Sequence, residues 1–510
     1  MPSRLWTATV KGIEAIPVAV EVDVSPGLGA VTIVGLADTA VQEARERVRS
    51  ALKNSDLPFP RQRVTINLAP ADLKKEGPRF DLPIALGILS AADEALLVIP
   101  PTWIVCGELG LDGTLRSVDG IIAIALCARE RGYTHVVVPP ENAAEAALVE
   151  GICVLAPRTL LDLIAHLRGE RLLESVPLTQ MELDATISHT TDMAYIRGQE
   201  SAKRALEIAA AGSHNILMTG PPGSGKTMLA RSLVSILPPM SRDEFIDVIR
   251  IYSVAGLLVR GIPASFLRPF RSPHHTSSDI ALVGGGTNPR PGEITLAHRG
   301  VLFLDELPEF GRDVLEALRQ PLEDGIVTIA RALGSVQFPA KFMFVASANP
   351  CPCGFSGTHQ KPCICSASQI LKYQKKLSGP LIDRIDIVID VPAVETDRLM
   401  DVAPSGVKSA VIRDRIRTAR AVQHERFGPG GIITNAEMSN EHIRKWCTLD
   451  DATRSMLSQA VDRYHLSARS YMRILKVSRT IADLEGSESV SLGHVAEALQ
   501  YRPRLQEQLR

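Results

Sequence analysis

The run Gly220-Pro221-Pro222-Gly223-Ser224-Gly225-Lys226-Thr227 fits G-x-x-x-x-G-K-[ST] and follows directly on the apolar strand pattern Asn215 to Thr219. A strand that empties into this loop and continues as a helix, here Met228 to Leu237, belongs in a parallel sheet covered by helices. Glycines at 220, 223 and 225 permit a tight backbone that aims N–H groups at phosphate oxygens, and the helix adds its positive end. Lys226 is spaced to reach the β- and γ-phosphates and Thr227 to offer a hydroxyl to Mg²⁺, so residues 220–228, through Met228, form the expected nucleotide loop. ATP and Mg²⁺ are the expected ligands.

Further along, Val301-Leu302-Phe303-Leu304 reads as a buried strand that ends in Asp305-Glu306. Two carboxylates at a strand end need a cation. Asp305 is expected in the Mg²⁺ shell, and Glu306 as the general base that polarises the attacking water.

The chain has 510 residues, enough for about three domains. Residues 1–169 alternate short β-branched runs with helical stretches and read as one α/β domain; residues 170–192 have the mixed polarity of a linker. Residues 193–394 carry the alternating strands and helices of an α/β core, and residues 395–510 are helical throughout, as a lid domain. Lys+Arg number 56 against 57 Asp+Glu, which excludes a globally basic nucleic-acid coat and leaves room for a local basic channel. No apolar run is long enough to span a membrane, and the amino-terminal segment lacks the apolar stretch of a signal peptide. A cytoplasmic protein without membrane partners is expected.

Four of the eight cysteines fall together, as Cys351-Pro-Cys353 and Cys363-Ile-Cys365. Without a secretory signal a disulfide framework is not expected, and four thiolates suit a tetrahedral Zn²⁺. The C-x-C pairs are tighter than usual zinc spacing and His359 is a rival ligand, so free thiols or a redox pair remain the alternatives. Cys106, Cys127, Cys153 and Cys447 are scattered and read as core.

GPPGSGKT, VLFLDE, SANPCPCG and SGPLIDRIDI, with PFRSPHHTSS (269–278) and PGEITLAHRGVLFLDEL (291–307), resemble the AAA+ ATPases of the magnesium-chelatase-like group, and within it the YifB/ComM family. The resemblance covers nearly the whole chain. It implies a Lon-protease-like (S5 domain 2-like) amino-terminal domain, a central αβα sandwich with a parallel sheet, and a carboxy-terminal helical lid. Under it Asn349 is the polar sensor of the γ-phosphate, and Arg384 the arginine finger that enters a neighbour's site. Arg469 is the second sensor, with Arg473 one turn on as its competitor, and Ile196-Arg197-Gly198-Gln199 flanks the adenine. A simple turn Asn at 349 and an ion pair of Arg384 with Asp383 or Asp386 are the structural alternatives.

The same resemblance implies a homo-oligomer, expected as a hexamer, acting on single-stranded or branched DNA as a helicase or branch-migration enzyme in natural transformation and recombination. A chelatase-like remodeller of a protein partner is the alternative. Two inserts carry cations that suit a phosphate backbone: 268–292, with Arg271, His274, His275 and Gly284-Gly285-Gly286, and the hairpin 327–341, with Arg331 and Lys341. Subunit contacts or internal turns would use the same residues. In the Lon-like domain the nucleophile position falls on Arg79 and the lysine position on Ile122, so a Ser–Lys dyad is missing and peptidase chemistry is not expected. The neighbouring Lys74-Lys75 reads as solvated surface.

Overall fold

The computed structural model describes residues 2–92, 97–179, 192–258, 267–286, 289–331, 334–357, 361–377, 379–394, 406–428 and 432–502. The chain divides into two compact units, residues 1–183 with 242–265, and residues 184–241 with 266–510.

The first unit is built on a seven-stranded mixed sheet. Its order is Val31–Val34, Arg63–Ala69, Glu14–Ser25, Ser3–Lys11, Trp103–Val105, His135–Val137, Cys153–Leu155. Ser3–Lys11 and Glu14–Ser25 form an antiparallel hairpin, and the last three strands run parallel to Ser3–Lys11. Helix Thr39–Asn54 is capped by the Asp38 carboxylate, which accepts from Val41 N at 2.8 Å, and buries Val41, Ala44, Val48, Ala51 and Leu52 along one stripe. Helix Asp81–Ala92 is apolar on every side and buried from Asp81 to Leu89. Its only charge is Asp81, held bidentately by Arg47 at 2.7 and 2.9 Å; burial nonetheless pushes the carboxyl up to about 6.

Helix Arg242–Val254 also belongs to this unit, although reading along the chain assigned it to the core at 193–394. It packs on helix Ile121–Glu130, and the Ser253 hydroxyl donates to buried Glu145, which also accepts from Ile122 N at 2.8 Å. The expected linker is likewise shorter: Val176 N donates to Val154 O at 2.9 Å and Thr179 N to Ala147 O at 3.0 Å, so the segment through 179 is pinned to the first unit.

The second unit is built on a five-stranded parallel sheet ordered Phe270–Arg271, Val301–Leu304, Met343–Ala348, Ile216–Thr219, Ile387–Asp390. Val301–Leu304 and Met343–Ala348 are buried at every residue, as central parallel strands must be. Helices Glu200–Gly212 and Lys226–Ile236 share a core with the sheet. The carboxy-terminal helices Ser409–Phe427, Asn440–Trp446, Asp451–Tyr464, Ala468–Leu484 and Leu492–Gln500 join the same core through Ile412 and Ile416, Ile443, Leu457, Ile474 and Ile481, and Val495. The expected separate lid is therefore continuous with the sheet unit. Polar contacts reinforce the seam: Ser235 and Ser409 hydroxyls lie 2.7 Å apart, and His214 Nε2 lies 2.8 Å from Thr480 Oγ1.

Candidate nucleotide site

Thr219 pairs with Ala348 and Leu304 with Ala346, so three adjacent strands end side by side and release Gly220, Asn349 and Asp305 at one edge of the sheet. This is the carboxyl edge, where parallel α/β sheets bind ligands. Gly223 and Gly225 take left-handed φ values of 77° and 92°, with open space where a Cβ would stand. Gly220 is fixed for another reason: a Cβ there would lie 2.2 Å from Val391 O.

Lys226 opens its helix and is buried. Its ammonium donates to Gly220 O and Pro221 O at 2.8 Å each and to Asn349 Oδ1 at 3.3 Å. Burial lowers its pKa, against the opposing pull of Asp305 and Glu306. None of those three acceptors carries a charge, so a polyphosphate fits as the anion this lysine still lacks. Thr227 Oγ1 donates to Asp305 Oδ2 at 2.7 Å, which sets two hard oxygens side by side, as Mg²⁺ requires. Asp305 Oδ1 accepts from the Ser347 hydroxyl and from Glu306 N at 3.1 Å. Glu306 N also donates to Ser347 Oγ at 3.0 Å, and Glu306 itself is exposed in a left-handed conformation at φ 53°. Gln199, also left-handed, brings its amide within 3.5 Å of Ser224 O and donates to Pro392 O, so the 196–199 stretch borders the loop.

The structure thus brings together Lys226, Thr227, Asp305, Glu306 and Asn349. It puts Arg384 and Arg469 elsewhere. Asn215, at the opposite end of the Ile216–Thr219 strand, donates through Nδ2 to Arg384 O at 2.9 Å and through N to Asp386 Oδ2 at 3.1 Å. Arg384 and Arg469 both reach Glu323, the latter at 3.3 Å, and Arg473 pairs with Asp386 at 3.1 Å. The ion pair of Arg384 is therefore with Glu323 rather than Asp383 or Asp386. A four-residue strand is about 13 Å long, so these arginines sit at the amino edge of the sheet, away from their own chain's phosphate loop.

Ser347 and Glu323 were missed by sequence reasoning. Ser347 is the residue that faces Asp305 in the register of adjacent strands, a relation visible only once the strands are paired. Nothing in the local sequence marks Glu323.

The cations expected on loops are partly neutralised. Arg271 is clamped by Glu293 through two bonds of 2.6 Å, and Lys341 reaches Glu437 at 3.3 Å. His274 and His275 have ring centroids 4.1 Å apart. Arg331 ends the first strand of the antiparallel hairpin Ile326–Arg331 and Gly334–Pro339. In the first unit Arg79 has buried Nε and Nη1, Ile122 is buried, and neither supplies a nucleophile. Lys75, expected in solvent, is buried, because its backbone is drawn inward by bonds to Leu36 O at 3.1 Å and from Asp38 N at 3.0 Å.

The sulfurs of Cys351, Cys353, Cys363 and Cys365 all lie within 4.8 Å of one another, and none of the four is in a disulfide. His359 lies outside the described residues. Cys106, Cys127 and Cys447 are buried, as core cysteines should be, and Cys153 is half-buried against the first unit's core.

A family model described as magnesium chelatase, subunit ChlI, matches residues 192–399; models of the ChlI subunit and of its carboxy-terminal region match residues 20–142 and 406–502. Over 506 residues the chain is 45% identical to the competence protein ComM of Haemophilus influenzae, spanning 98% of this chain and 97% of that protein. It is 41% identical over 502 residues to the uncharacterized protein YifB of Escherichia coli, spanning 98% and 97%. The chain belongs to the YifB/ComM family. YifB/ComM chains are AAA+ ATPases of the magnesium-chelatase-like group, whose implied ligands are ATP and Mg²⁺. The YifB/ComM chain is also 30% identical over 135 residues to Lon protease 2 of Bacillus subtilis, 25% of this chain and 24% of that protein. Among the described residues no helix is long and apolar enough to cross a membrane.

Proposed function

We propose that this chain is an ATP-hydrolysing ring motor, a hexameric homo-oligomer in the cytoplasm, that acts on single-stranded or branched DNA as a helicase or branch-migration factor in natural transformation and homologous recombination. In this reading Lys226 and the N–H groups of residues 223–228 hold the phosphates, while Gly220, Pro221 and Pro222 shape the loop. Thr227 and Asp305 hold Mg²⁺, which when bound neutralises charge on the β- and γ-oxygens. Glu306, exposed beside them, orients and deprotonates the attacking water, while Asn349 positions that water near the γ-phosphate.

The observation that carries the reading is the division of parts between the two edges of one sheet. The phosphate loop and acid pair lie at one edge; Arg384 and Arg469 lie at the other, joined through Glu323. An arginine there serves a nucleotide bound by an adjoining copy, so turnover requires assembly. Arg469 is accordingly assigned to the neighbour's γ-phosphate together with Arg384, while Arg473, half-enclosed against Asp386, positions that edge. The DNA substrate is supported by the relative ComM, a competence protein.

The test is ATP turnover with Mg²⁺, with and without forked and three-stranded DNA, alongside strand displacement. DNA stimulates turnover and strands separate only with ATP; failure to bind either DNA at low salt defeats the reading. A chelatase-like protein remodeller is the second reading, favoured by the neutralisation of Arg271 by Glu293 and of Lys341 by Glu437. It predicts turnover indifferent to DNA.

A further inference from the structure

The loop between Asn349 and helix Ala367–Gln374 is organised around sulfur. Cys351 and Cys353 have sulfurs 3.3 Å apart, Cys351 and Cys363 3.7 Å, and Cys353 and Cys363 3.5 Å. A disulfide would need about 2.05 Å, so none of these three contacts is a bond. Four sulfurs at about 2.3 Å from one ion stand about 3.8 Å from each other, close to the spacing seen.

Each sulfur also accepts a backbone amide. Ser356 N donates to Cys351 Sγ at 3.3 Å. Cys353 accepts from Phe355 and Ile364, Cys363 from Cys365, and Cys365 from Cys353. Backbone amides turned onto the sulfurs are the outer contacts that orient cysteine ligands around a metal. A closed set of four soft ligands with no open position is the structural-zinc arrangement.

This cluster touches the nucleotide loop. Cys351 follows Asn349 by two residues and is fully buried. Gly354, at φ 84°, lies so close to Pro222 of the phosphate loop that a Cβ would stand 2.4 Å from its Cδ. From the far side of the loop, helix Ala367–Gln374 returns to the same point. The Tyr373 hydroxyl accepts from Asn349 N, and Gln374 Nε2 donates to Pro350 O at 3.4 Å.

We propose that Cys351, Cys353, Cys363 and Cys365 bind one structural Zn²⁺, and that this clip holds Asn349 and, through the Gly354–Pro222 contact, the phosphate loop in position. ATP binding and turnover then depend on a metal that takes no part in the reaction. The coupling rests on the assignment of residues 220–227 as the nucleotide loop; the metal site itself does not.

The site is tested by metal analysis of the purified full chain. One zinc per chain is expected, with loss of it in Cys353→Ser/Cys365→Ser, and tetrahedral thiolate bands on Co²⁺ substitution. Iron in place of zinc, or equal zinc in wild type and double variant, overturns the site. The coupling is tested by binding of a fluorescent ATP analogue and by turnover, after zinc is stripped and Mg²⁺ restored. Turnover falls about 100-fold if a displacement of an ångström follows. Gly354→Ala keeps its zinc and loses nucleotide affinity, a result that misfolding of a cysteine variant does not produce. Unchanged ATP binding in both the stripped protein and Gly354→Ala overturns the coupling. Failure of zinc-loaded wild type to bind ATP sinks the motor reading instead, and leaves the metal count as it was.

Discussion

The two edges of the five-stranded sheet are built from opposite materials. At the carboxyl edge the charged groups are held by neutral partners: Lys226 by two carbonyls and an amide oxygen, Asp305 by hydroxyls and a backbone N–H. At the amino edge charge meets charge, with Glu323 between Arg384 and Arg469, and Asp386 paired with Arg473 beside the His214 ring. The first edge is prepared for ligands that bring their own charge. The second pairs its charges within the chain, and in the proposed assembly its arginines would exchange one partner for another when a copy docks.

Replacing Lys226 by Ala removes the buried ammonium of the phosphate loop, and both nucleotide binding and turnover are expected to vanish. Arg384→Ala is expected to leave ATP affinity intact while lowering turnover about 1000-fold. Mixing it with Lys226→Ala should restore part of the rate, because some pockets then draw Lys226 from one copy and Arg384 from the next. Full activity of Arg384→Ala alone would erase the distinction between the edges. Glu306→Gln should retain ATP and lose at least about 100-fold in turnover, read by single-turnover hydrolysis. Glu323→Gln, which frees both arginines at once, is expected to change turnover only a few-fold at saturating protein and to shift the concentration at which assembly occurs.

The smallest effect concerns acid stability. Asp386 is buried, which raises its pKa, but His214 and Arg473 outweigh burial and bring it down to about 2. A carboxyl depressed in the folded state stabilises above its unfolded pKa and loses that contribution as pH falls toward the folded value. About 2 kcal/mol should therefore disappear between about pH 4 and pH 2. Asp386→Asn should abolish that part of the slope in denaturant titrations at each pH.

What was legible in the sequence is what is contiguous in it. Residues 220–227 and 301–306 announce themselves because loop geometry and strand burial are set by neighbours along the chain, and the structure assembles Asn349 beside them. The neutralisation of Arg271 and Lys341 was not legible, since their acidic partners Glu293 and Glu437 are brought in by the fold. Ser347 needed the strand register, and Glu323 needed a tertiary contact. The helix at 242–254 was assigned to the wrong unit for the same reason: its apolar face fits any core, and only Glu145 and Ser253 together identify which.

That helix has a consequence for biosynthesis. Most of the front unit leaves the ribosome before the phosphate loop, yet one of its walls is encoded after that loop, so Glu145 must wait for Ser253 to be translated before its burial is complete. Vectorial folding of the amino-terminal half is thereby suspended until the nucleotide-loop helix has also emerged, and a fragment ending at residue 183 would expose the apolar face of helix Ile121–Glu130 to aggregation.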